Sequence, residues 1–425
     1  MNYLFPGDRG TQVEYLQLAL SRAGYPIQVD GIFGRQTCGA LHSFLKTEGA
    51  CVADREAWQK LIPYLKGYVH HEIAPGDTIQ KIAEIHKTTP TAILTANPLI
   101  DPQNLQAGAT LEVPLGFPLV PEKVHYSSIL VSYIVEGLVT RYPFLVSGSI
   151  GRSVMRKEIP YLRIGTGEKE VCYSASYHAN ESITTPVLLR FAEDYCDAYG
   201  AVLRGESTPD FPAAQLYQEF SLYLIPLVNP DGVDLVNGIL RVGDFYRQAV
   251  RIAADFPSIP FPGGWKANID GVDLNLQFPA GWEEARRIKY AQGYTKPAPR
   301  DYVGMAPLTA PESIAVYNFT REHDFSLIIA YHTQGEVIYW KYLDYEPERS
   351  AEIARYFGRV SGYAVELTPS ESAYAGYKDW FIQEYDRPGY TIEVGLGENP
   401  LPMSQFTDIY RANQPIMLGG MTQLM

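Results

Sequence analysis

The chain has 425 residues and a formal net charge of −13 at pH 7. Its length favours more than one domain, and its acidic balance argues against a nucleic-acid-binding protein, which usually presents a basic surface. It contains no apolar stretch long enough for a membrane span, and its first residues lack the basic and apolar regions of a signal peptide, so we expect neither feature.

Residues 1–67 predict a small helical module. Apolar residues follow helical spacing from Val13 to Leu20, and Gly24 ends that helix. A glycine-rich turn at residues 30–34 leads into a second amphipathic helix. None of the four cysteines forms a Cys-x-x-Cys pair, so free buried thiols are the default, and the sequence does not decide whether Cys38 and Cys51 pair.

Three short runs in this module resemble the peptidoglycan-binding domain 1 family. They are Pro6-Gly7-Asp8-Arg9-Gly10, Gly24-Tyr25 and Asp30-Gly31-Ile32-Phe33-Gly34. One departure is Leu45, which stands where that family often has glutamine. The resemblance implies a three-helix fold that binds peptidoglycan, and a helical cap without a ligand is the alternative.

Residues 68–115 predict a second module with the order strand, helix, helix, strand. Its first helix follows a Pro-Gly turn, and its second begins near Thr89-Pro90. The module resembles LysM, which implies binding to glycans that contain N-acetylglucosamine; a structural spacer is the alternative. The matching runs are Gly76-Asp77-Thr78-Ile79, Ile82-Ala83, Asn97-Pro98 and Leu105-x-x-Gly108-x-x-Leu111-x-Val113-Pro114.

Two wall-type modules in tandem therefore precede the remainder of the chain. A short proline-rich segment, residues 114–121, separates them from it. We expect this segment to act as a tether that raises the local concentration of the following domain on an insoluble substrate.

Residues 116–425 predict one large α/β domain. Apolar strands alternate with amphipathic helices, which favours layers around a parallel or mixed sheet. The predicted strands are 171–177, 220–228, 325–331 and 390–394, and the predicted helices are 186–199, 310–322 and 346–362.

Three residues that follow or end these strands are candidate metal ligands. His178 and Glu181 lie in the turn after the strand at 171–177, before a helix that we expect to start with a hydroxyl cap and Pro186. His332 ends the apolar run at 325–331. A catalytic zinc takes three protein ligands and keeps one position open, so this set suits one Zn²⁺ ion.

Two carboxylates are candidates for supporting roles. Glu393 lies inside an apolar strand, where a charge is costly unless it is paired or functional, and we assign it the role of general base and acid. Asp273 is the candidate partner for the second ring nitrogen of a metal-bound histidine. We interpret the other histidines as solvated or structural; they are His42, His70, His71, His86, His125 and His323.

Five motifs in one order resemble the zinc carboxypeptidases of the carboxypeptidase A fold. They are His178-x-x-Glu181, Asn229-Pro230-Asp231-Gly232, Gly271-Val272-Asp273-Leu274-Asn275, His332 at a strand end and Thr391-x-Glu393-x-Gly395. The resemblance covers nearly all of residues 116–425. It implies a doubly wound mixed sheet, zinc bound by His178, Glu181 and His332, and Glu393 as the general base.

The departures from this family concern the substrate. Leu276 follows Asn275 where the family has an arginine that binds the terminal carboxylate of the substrate. Lys266 stands where the family has an oxyanion-stabilising arginine. The tyrosine that closes on the substrate is absent from its usual position, and Tyr374 and Tyr377 are the nearby candidates.

The run 271–284 resembles the γ-D-glutamyl-L-diamino acid endopeptidases of this fold. That resemblance implies a zinc metallopeptidase that cuts between D-glutamate and diaminopimelate in peptidoglycan stem peptides, with peptidoglycan glycan as a second partner. A carboxypeptidase and an inactive wall-binding protein are the alternatives. The substrate implies the cell wall, the extracellular space or a spore, whereas the absent export signal keeps the cytoplasm open.

Overall fold

A computed structural model describes residues 1–205 and 210–425. The N-terminal module, residues 1–67, forms a small helical unit whose Cys38 and Cys51 are joined in a disulfide. Gly10 and Gly31 both have positive φ angles, and the Gly10 amide donates to the Gly31 carbonyl oxygen, which closes the glycine turn onto the first helix. The helices are α1 (Thr11–Arg22), α2 (Arg35–Leu45) and α3 (Arg55–Lys66).

The LysM-like module, residues 68–115, is a two-stranded antiparallel sheet with two helices against it. Thr78 and Thr89 cap the two helices, because each hydroxyl accepts a backbone N–H three residues later. Its elements are β1 (Tyr68–Glu72), α4 (Ile79–His86), α5 (Pro90–Ala96) and β2 (Thr110–Pro114).

A mixed sheet organises the rest of the chain. Within the described residues it has eight strands in the order β3-β4-β6-β5-β7-β10-β8-β9. Neighbours from β6 to β10 run parallel, and β3, β4 and β8 introduce the antiparallel pairs. The strands are β3 (Val146–Arg152), β4 (Glu158–Ile164), β5 (Lys169–Ala175), β6 (Phe220–Ile225), β7 (Phe325–His332), β8 (Val337–Tyr339), β9 (Ala364–Glu366) and β10 (Gly389–Glu393).

Helices cover both faces of this sheet, which gives the doubly wound arrangement expected from the sequence. The helices are α6 (Ser128–Arg141), α7 (Thr184–Leu203), α8 (Ala213–Glu219), α9 (Pro230–Val236), α10 (Asp244–Ala254), α11 (Trp282–Ala291), α12 (Pro311–Arg321), α13 (Ser350–Ser361), α14 (Tyr377–Tyr385) and α15 (Phe406–Thr422). Alternate residues of β7 enter opposite cores: Ile329 packs on the side of α7, α13 and α15, and Ile328 packs on the side of α12 and α14.

The segment at 114–121 differs from the expected tether. The Arg141 guanidinium donates to the carbonyl oxygens of Gly67, Leu115 and Phe117, at 3.2, 3.0 and 3.0 Å. It also pairs with the buried carboxylate of Glu193 at 3.3 Å. This one side chain therefore fastens the end of each module to the large domain.

One local prediction was wrong in detail. The helix after Glu181 starts at Thr184 without a side-chain cap, so Pro186 is its third residue and not its first. His332 is the last residue of β7, which agrees with its predicted place at a strand end. The alternation of strands and helices is otherwise as predicted, with ends shifted by a few residues.

No helix in the described part of the chain is both long and apolar enough to cross a membrane.

Candidate active site

The ends of three parallel strands bring the candidate residues to one edge of the sheet. β5 pairs with β7, and β7 pairs with β10 in a register that places Glu393 directly beside His332. His178 follows the end of β5, and Glu181 ends a 3₁₀ turn immediately after it. Ligands bind outside the carboxyl ends of the strands in such sheets, and these side chains occupy that place.

His178, Glu181 and His332 form a compact, buried group of donor atoms. The Nδ1 atom of His178 lies 2.9 Å from Glu181 Oε1 and 3.2 Å from His332 Nδ1. The Nδ1 atom of His332 lies 3.0 Å from Glu181 Oε2. These separations are close to those of ligands around one zinc ion, for which metal–nitrogen and metal–oxygen distances are about 2.0–2.2 Å.

Asp273 determines which nitrogen of His178 faces this group. Its Oδ1 atom lies 3.1 Å from His178 Nε2, and an ionised carboxylate only accepts, so Nε2 carries the proton. The Nδ1 lone pair of His178 is then directed at Glu181 and His332.

The donor types at the site suit a metal cation. Burial alone would lower the pKa of His178, yet the negative charges of Glu181 and Asp273 raise it to about 9. Two imidazoles and a carboxylate face one another in a buried place, and these are ligand types that zinc takes, so the donor set fits that ion.

Backbone and amide groups hold the ligands in place. The Thr333 amide donates to Glu181 Oε2 at 3.2 Å, and Asn399 Nδ2 lies 3.5 Å from Glu181 Oε1. The Asn229 side chain donates to the carbonyl oxygens of Tyr177 and Ala267, both at 3.0 Å. The Asn-Pro-Asp-Gly motif is thus more than a turn, because it joins the segments that carry His178 and Lys266.

Glu393 lines the cavity beside the donor set. Within the described residues its carboxylate has no hydrogen-bond or ion-pair partner, and burial together with the charge of Glu181 raises its pKa to about 8. Tyr339 lines the same cavity from β8, opposite Thr391 in the strand register. A half-buried carboxylate without a partner is suited to accept and release a proton.

Lys266 is the cation next to the ligands. Its Nζ atom lies 3.0 Å from Glu181 Oε1. It lines a cavity of about 780 Å³, a size that accommodates a small ligand. Leu276 also lines this cavity, so an apolar side chain occupies the position after Asn275.

The two candidate tyrosines lie outside the described lining of the cavity. Tyr377 is completely buried, and its hydroxyl lies 2.9 Å from Thr320 Oγ1, which argues against its predicted contact with substrate. Tyr374 packs beside Gly281 and Trp282, at the start of α11. Tyr374 is only partly buried, so its contact with substrate stays a prediction. Asn275 lines the cavity, and its Oδ1 accepts the Tyr377 amide.

Thr333, Tyr339 and Asn399 were missed by the sequence analysis. Thr333 had a signal, since it directly follows His332 at a strand end. Tyr339 and Asn399 had none, because a short strand and a loop return bring them to the site.

Two family models match the chain. The zinc carboxypeptidase model matches residues 131–415, and the LysM domain model matches residues 71–114. The chain is 44% identical over 403 residues to γ-D-glutamyl-L-diamino acid endopeptidase 1 of Lysinibacillus sphaericus, covering 82% of this chain and 98% of that protein. It is 38% identical over 371 residues to the uncharacterised protein YqgT of Bacillus subtilis (strain 168), covering 86% and 90%.

Solved structures agree on the fold. Bovine thrombin-activatable fibrinolysis inhibitor, in complex with tick carboxypeptidase inhibitor, matches with a TM-score of 0.54 at 19% identity, covering 71% of this chain and 98% of that one. Carboxypeptidase A from Helicoverpa armigera matches with a TM-score of 0.51 at 18% identity, covering 80% of each chain. The chain therefore belongs to the zinc carboxypeptidase family and is a metallopeptidase with a LysM module before its peptidase region.

Proposed function

We propose that the protein hydrolyses the amide bond between γ-D-glutamate and diaminopimelate in peptidoglycan stem peptides. The observation that carries this proposal is the cavity itself, whose lining includes His178, His332, Glu393 and Leu276. An apolar residue at this position offers no bidentate partner for a terminal carboxylate, which favours cleavage within a peptide. The 44% identity to an endopeptidase named for this bond supports the same choice.

The proposed division of work follows from the contacts. His178, Glu181 and His332 hold the zinc, and Asp273 orients His178. Zinc bound there supplies Lewis-acid chemistry and lowers the pKa of a water molecule. Glu393 takes the proton of the attacking water and delivers it to the leaving amine. Lys266 stabilises the negative charge that develops on the carbonyl oxygen.

We also propose three functional parts: the N-terminal module at 1–67, the LysM module at 68–115 and the peptidase domain at 116–425. The LysM match indicates association with peptidoglycan and the cell wall. The N-terminal module adds a second wall-binding surface, and its resemblance to peptidoglycan-binding domain 1 supports this role. We place the protein at the cell wall, outside the cell or in a spore.

The test uses the tripeptide L-Ala-γ-D-Glu-meso-diaminopimelate. The zinc-loaded protein is incubated with it, with and without a chelator, and the products are identified by mass. We expect free diaminopimelate and the Ala-Glu dipeptide, and we expect the chelator to prevent their release.

Two outcomes would contradict the proposal. An intact tripeptide, with zinc shown to be bound and longer stem peptides also uncut between these residues, would refute the assigned bond. Release of a C-terminal residue from a tetrapeptide, without cleavage after glutamate, would identify a carboxypeptidase.

A further inference from the structure

The cavity contains four lysine and arginine side chains among its described lining residues, and three of them are committed to protein partners. The Nζ atom of Lys378 contacts the Lys341 carbonyl, Thr368 Oγ1 and Asp379 Oδ1. Lys266 pairs with Glu181. Lys289 is 8% exposed and pairs with Asp301 Oδ1 at 2.7 Å. The fourth side chain is Arg300.

Arg300 differs because its terminal nitrogens remain available. Its Nε atom donates to Asp301 Oδ2 at 2.6 Å, and within the described residues neither Nη atom has a hydrogen-bond partner. Asp301 is already balanced by Lys289, so the group of Lys289, Arg300 and Asp301 carries one net positive charge. The Arg300 side chain is 42% exposed, so solvent reaches it from the cavity.

The position of Arg300 is fixed relative to the metal ligands. The Asp301 amide donates to Asp273 Oδ2 at 3.2 Å, and Asp273 is the residue that orients His178. The Lys266 amide donates to the Pro299 carbonyl at 2.7 Å. Asp301 has a φ of +64°, in the left-handed region that a non-glycine residue adopts only when its surroundings hold it there.

The chemistry of the proposed substrate indicates what this guanidinium meets. In a γ-glutamyl linkage the chain continues through the side-chain carboxyl, so the α-carboxylate of glutamate stays free beside the scissile amide. It stays free whether or not residues follow the diaminopimelate. A guanidinium with two open Nη atoms matches a carboxylate in geometry and charge.

We propose that Arg300 binds the α-carboxylate of the γ-D-glutamyl residue and so selects this linkage. This inference rests on the proposed function. It assigns the recognition of a carboxylate to the segment 299–301, whereas the carboxylate-binding arginine of the family would lie at the position of Leu276.

The test compares two peptides that differ in one group. They are L-Ala-γ-D-Glu-meso-diaminopimelate and the same peptide with the glutamate α-carboxylate amidated. In the wild type we expect amidation to lower kcat/KM by about tenfold to 100-fold, the range for one charge-assisted hydrogen-bonded pair. In Arg300→Gln we expect kcat/KM for the free acid to fall by a similar factor and amidation to have little further effect.

Two further variants make the result specific. Arg300→Lys keeps a point charge but not the fork, and we expect it to retain part of the preference for the free acid. Arg286→Gln is the matched control, because Arg286 lies over Trp282 and Tyr290 outside the described cavity lining and should leave the preference intact. Equal zinc content and equal unfolding temperature show that each variant is folded.

The outcomes separate the two proposals. Equal cleavage of both peptides by the wild type, or an Arg300→Gln enzyme that keeps the full preference, overturns the role of Arg300 and leaves the proposed function standing. A third outcome also overturns the role of Arg300. It is an Arg300→Gln enzyme that keeps its preference for the free glutamate acid but loses the preference for diaminopimelate over lysine, which lacks the second carboxylate. A zinc-loaded wild type that cuts neither peptide, and no longer stem peptide between these residues, overturns the proposed function, and this assignment falls with it.

Discussion

Asp273 contacts the candidate metal site from outside the set of ligands, at His178 Nε2. Both oxygens of its carboxylate accept: Oδ1 faces His178 Nε2 and the Asn275 amide, and Oδ2 faces the Asp301 amide. In Asp273→Asn one carboxylate oxygen becomes an NH₂ group, which cannot accept a hydrogen bond, so one of these donors loses its acceptor. We expect zinc affinity to fall by about 10- to 100-fold, measured by competition with a chromophoric chelator.

A matched substitution in the same loop is the control. Asp270 accepts from Gln248 and contacts none of the three ligands, so Asp270→Asn should bind zinc like the wild type. Unchanged zinc affinity in Asp273→Asn would show that His178 is oriented without Asp273.

Glu393 is the second residue whose role is open to direct measurement. Glu393→Gln keeps the shape of the side chain but cannot accept the proton from water. We expect kcat on the stem tripeptide to fall by about 10²- to 10⁴-fold with one zinc ion still bound. Glu384→Gln, an exposed residue on α14, controls for the charge change. Wild-type turnover in Glu393→Gln would exclude its role as general base.

The sequence reveals site residues that lie next to strand ends. His178, His332 and Glu393 each follow or end an apolar strand, so the strand pattern predicts that they meet. Arg300 and Asn399 reach the cavity from loops, which carry no periodic signal. Tyr377 was proposed as a substrate contact on sequence distance alone, and the sequence does not show that its side chain enters the core between Tyr177 and Thr320.

At the level of elements, the loop between Cys38 and Cys51 offers a simple test. The bond closes a loop with a sequence separation of 13 between α2 and the segment before α3. Chain-entropy arguments give about 3 kcal/mol for a loop of this size. We expect reduction to lower the free energy of unfolding by about that amount, measured in denaturant with and without reductant.

The paired variant provides the control. A chain with both Cys38→Ser and Cys51→Ser should match the reduced wild type and should not respond to reductant. The unfolded, unreduced wild type should show two reactive thiols, from Cys172 and Cys196, which are free. Four reactive thiols would show that the disulfide is absent.

Three side chains in contact within the LysM module, His86, His71 and Asp77, predict that the stability of the protein falls in acid. His71 Nδ1 lies 3.0 Å from His86 Nε2, and His71 Nε2 lies 3.0 Å from Asp77 Oδ2. Burial, and then the charge of His71, lower the pKa of His86 below its ordinary value of 6.5. The unfolded chain therefore takes up this proton more readily, so stability is complete above pH 6.5 and falls as the pH drops through the folded pKa.

Glutamine in place of His86 should remove the loss of stability that protonation of His86 causes at low pH. We expect His86→Gln to lose less stability than the wild type between about pH 7 and pH 5, measured by thermal unfolding. His70→Gln is the control, since His70 lies on the exposed side of β1. An equal loss in the wild type and His86→Gln would show that His86 does not cause the acid sensitivity.

The strands that the sequence predicts are the buried ones. β5, β6, β7 and β10 are apolar over most of their length, and such runs are typical of strands covered on both faces. β3 contains Gly148 and Gly151 and is largely exposed, while β8 and β9 have three residues each. Short or exposed strands at the edges of the sheet, or next to an edge as β8 is, depend on pairing with their neighbours, which the local sequence does not show.

At the scale of the whole molecule, the N-terminal module continues the core of the peptidase. Leu61 and Leu65 of α3 belong to the same buried cluster as Leu130 and Ile134 of α6. A Cβ atom at Gly137 would lie 2.0 Å from the Lys66 carbonyl oxygen, so a larger residue there would separate the two helices. The N-terminal module thus keeps a fixed position on the peptidase, and Arg141 holds the end of the LysM module against the same domain. A wall glycan bound to the modules would then meet the cavity in a fixed orientation.

Arg141 is the residue on which this arrangement depends most. Its guanidinium donates to the carbonyl oxygens that end the two modules and to that of Phe117. The Glu193 carboxylate beside it accepts the Leu119 and Val120 amides. Arg141→Met would leave Glu193 buried without its counter-charge. We expect a loss of about 3–5 kcal/mol in the free energy of unfolding, the usual cost of breaking one side of a buried pair.

Calorimetry and small-angle scattering would follow the consequence for the assembly. The wild type should unfold in one transition and should have a compact profile, because the N-terminal module shares a core with the peptidase and Arg141 holds the ends of both modules. Arg141→Met should separate a lower transition from the main one and increase the radius of gyration. Arg35→Met, an exposed arginine on α2, should change neither. An Arg141→Met protein with wild-type stability and dimensions would show that the shared core alone fixes the modules in place.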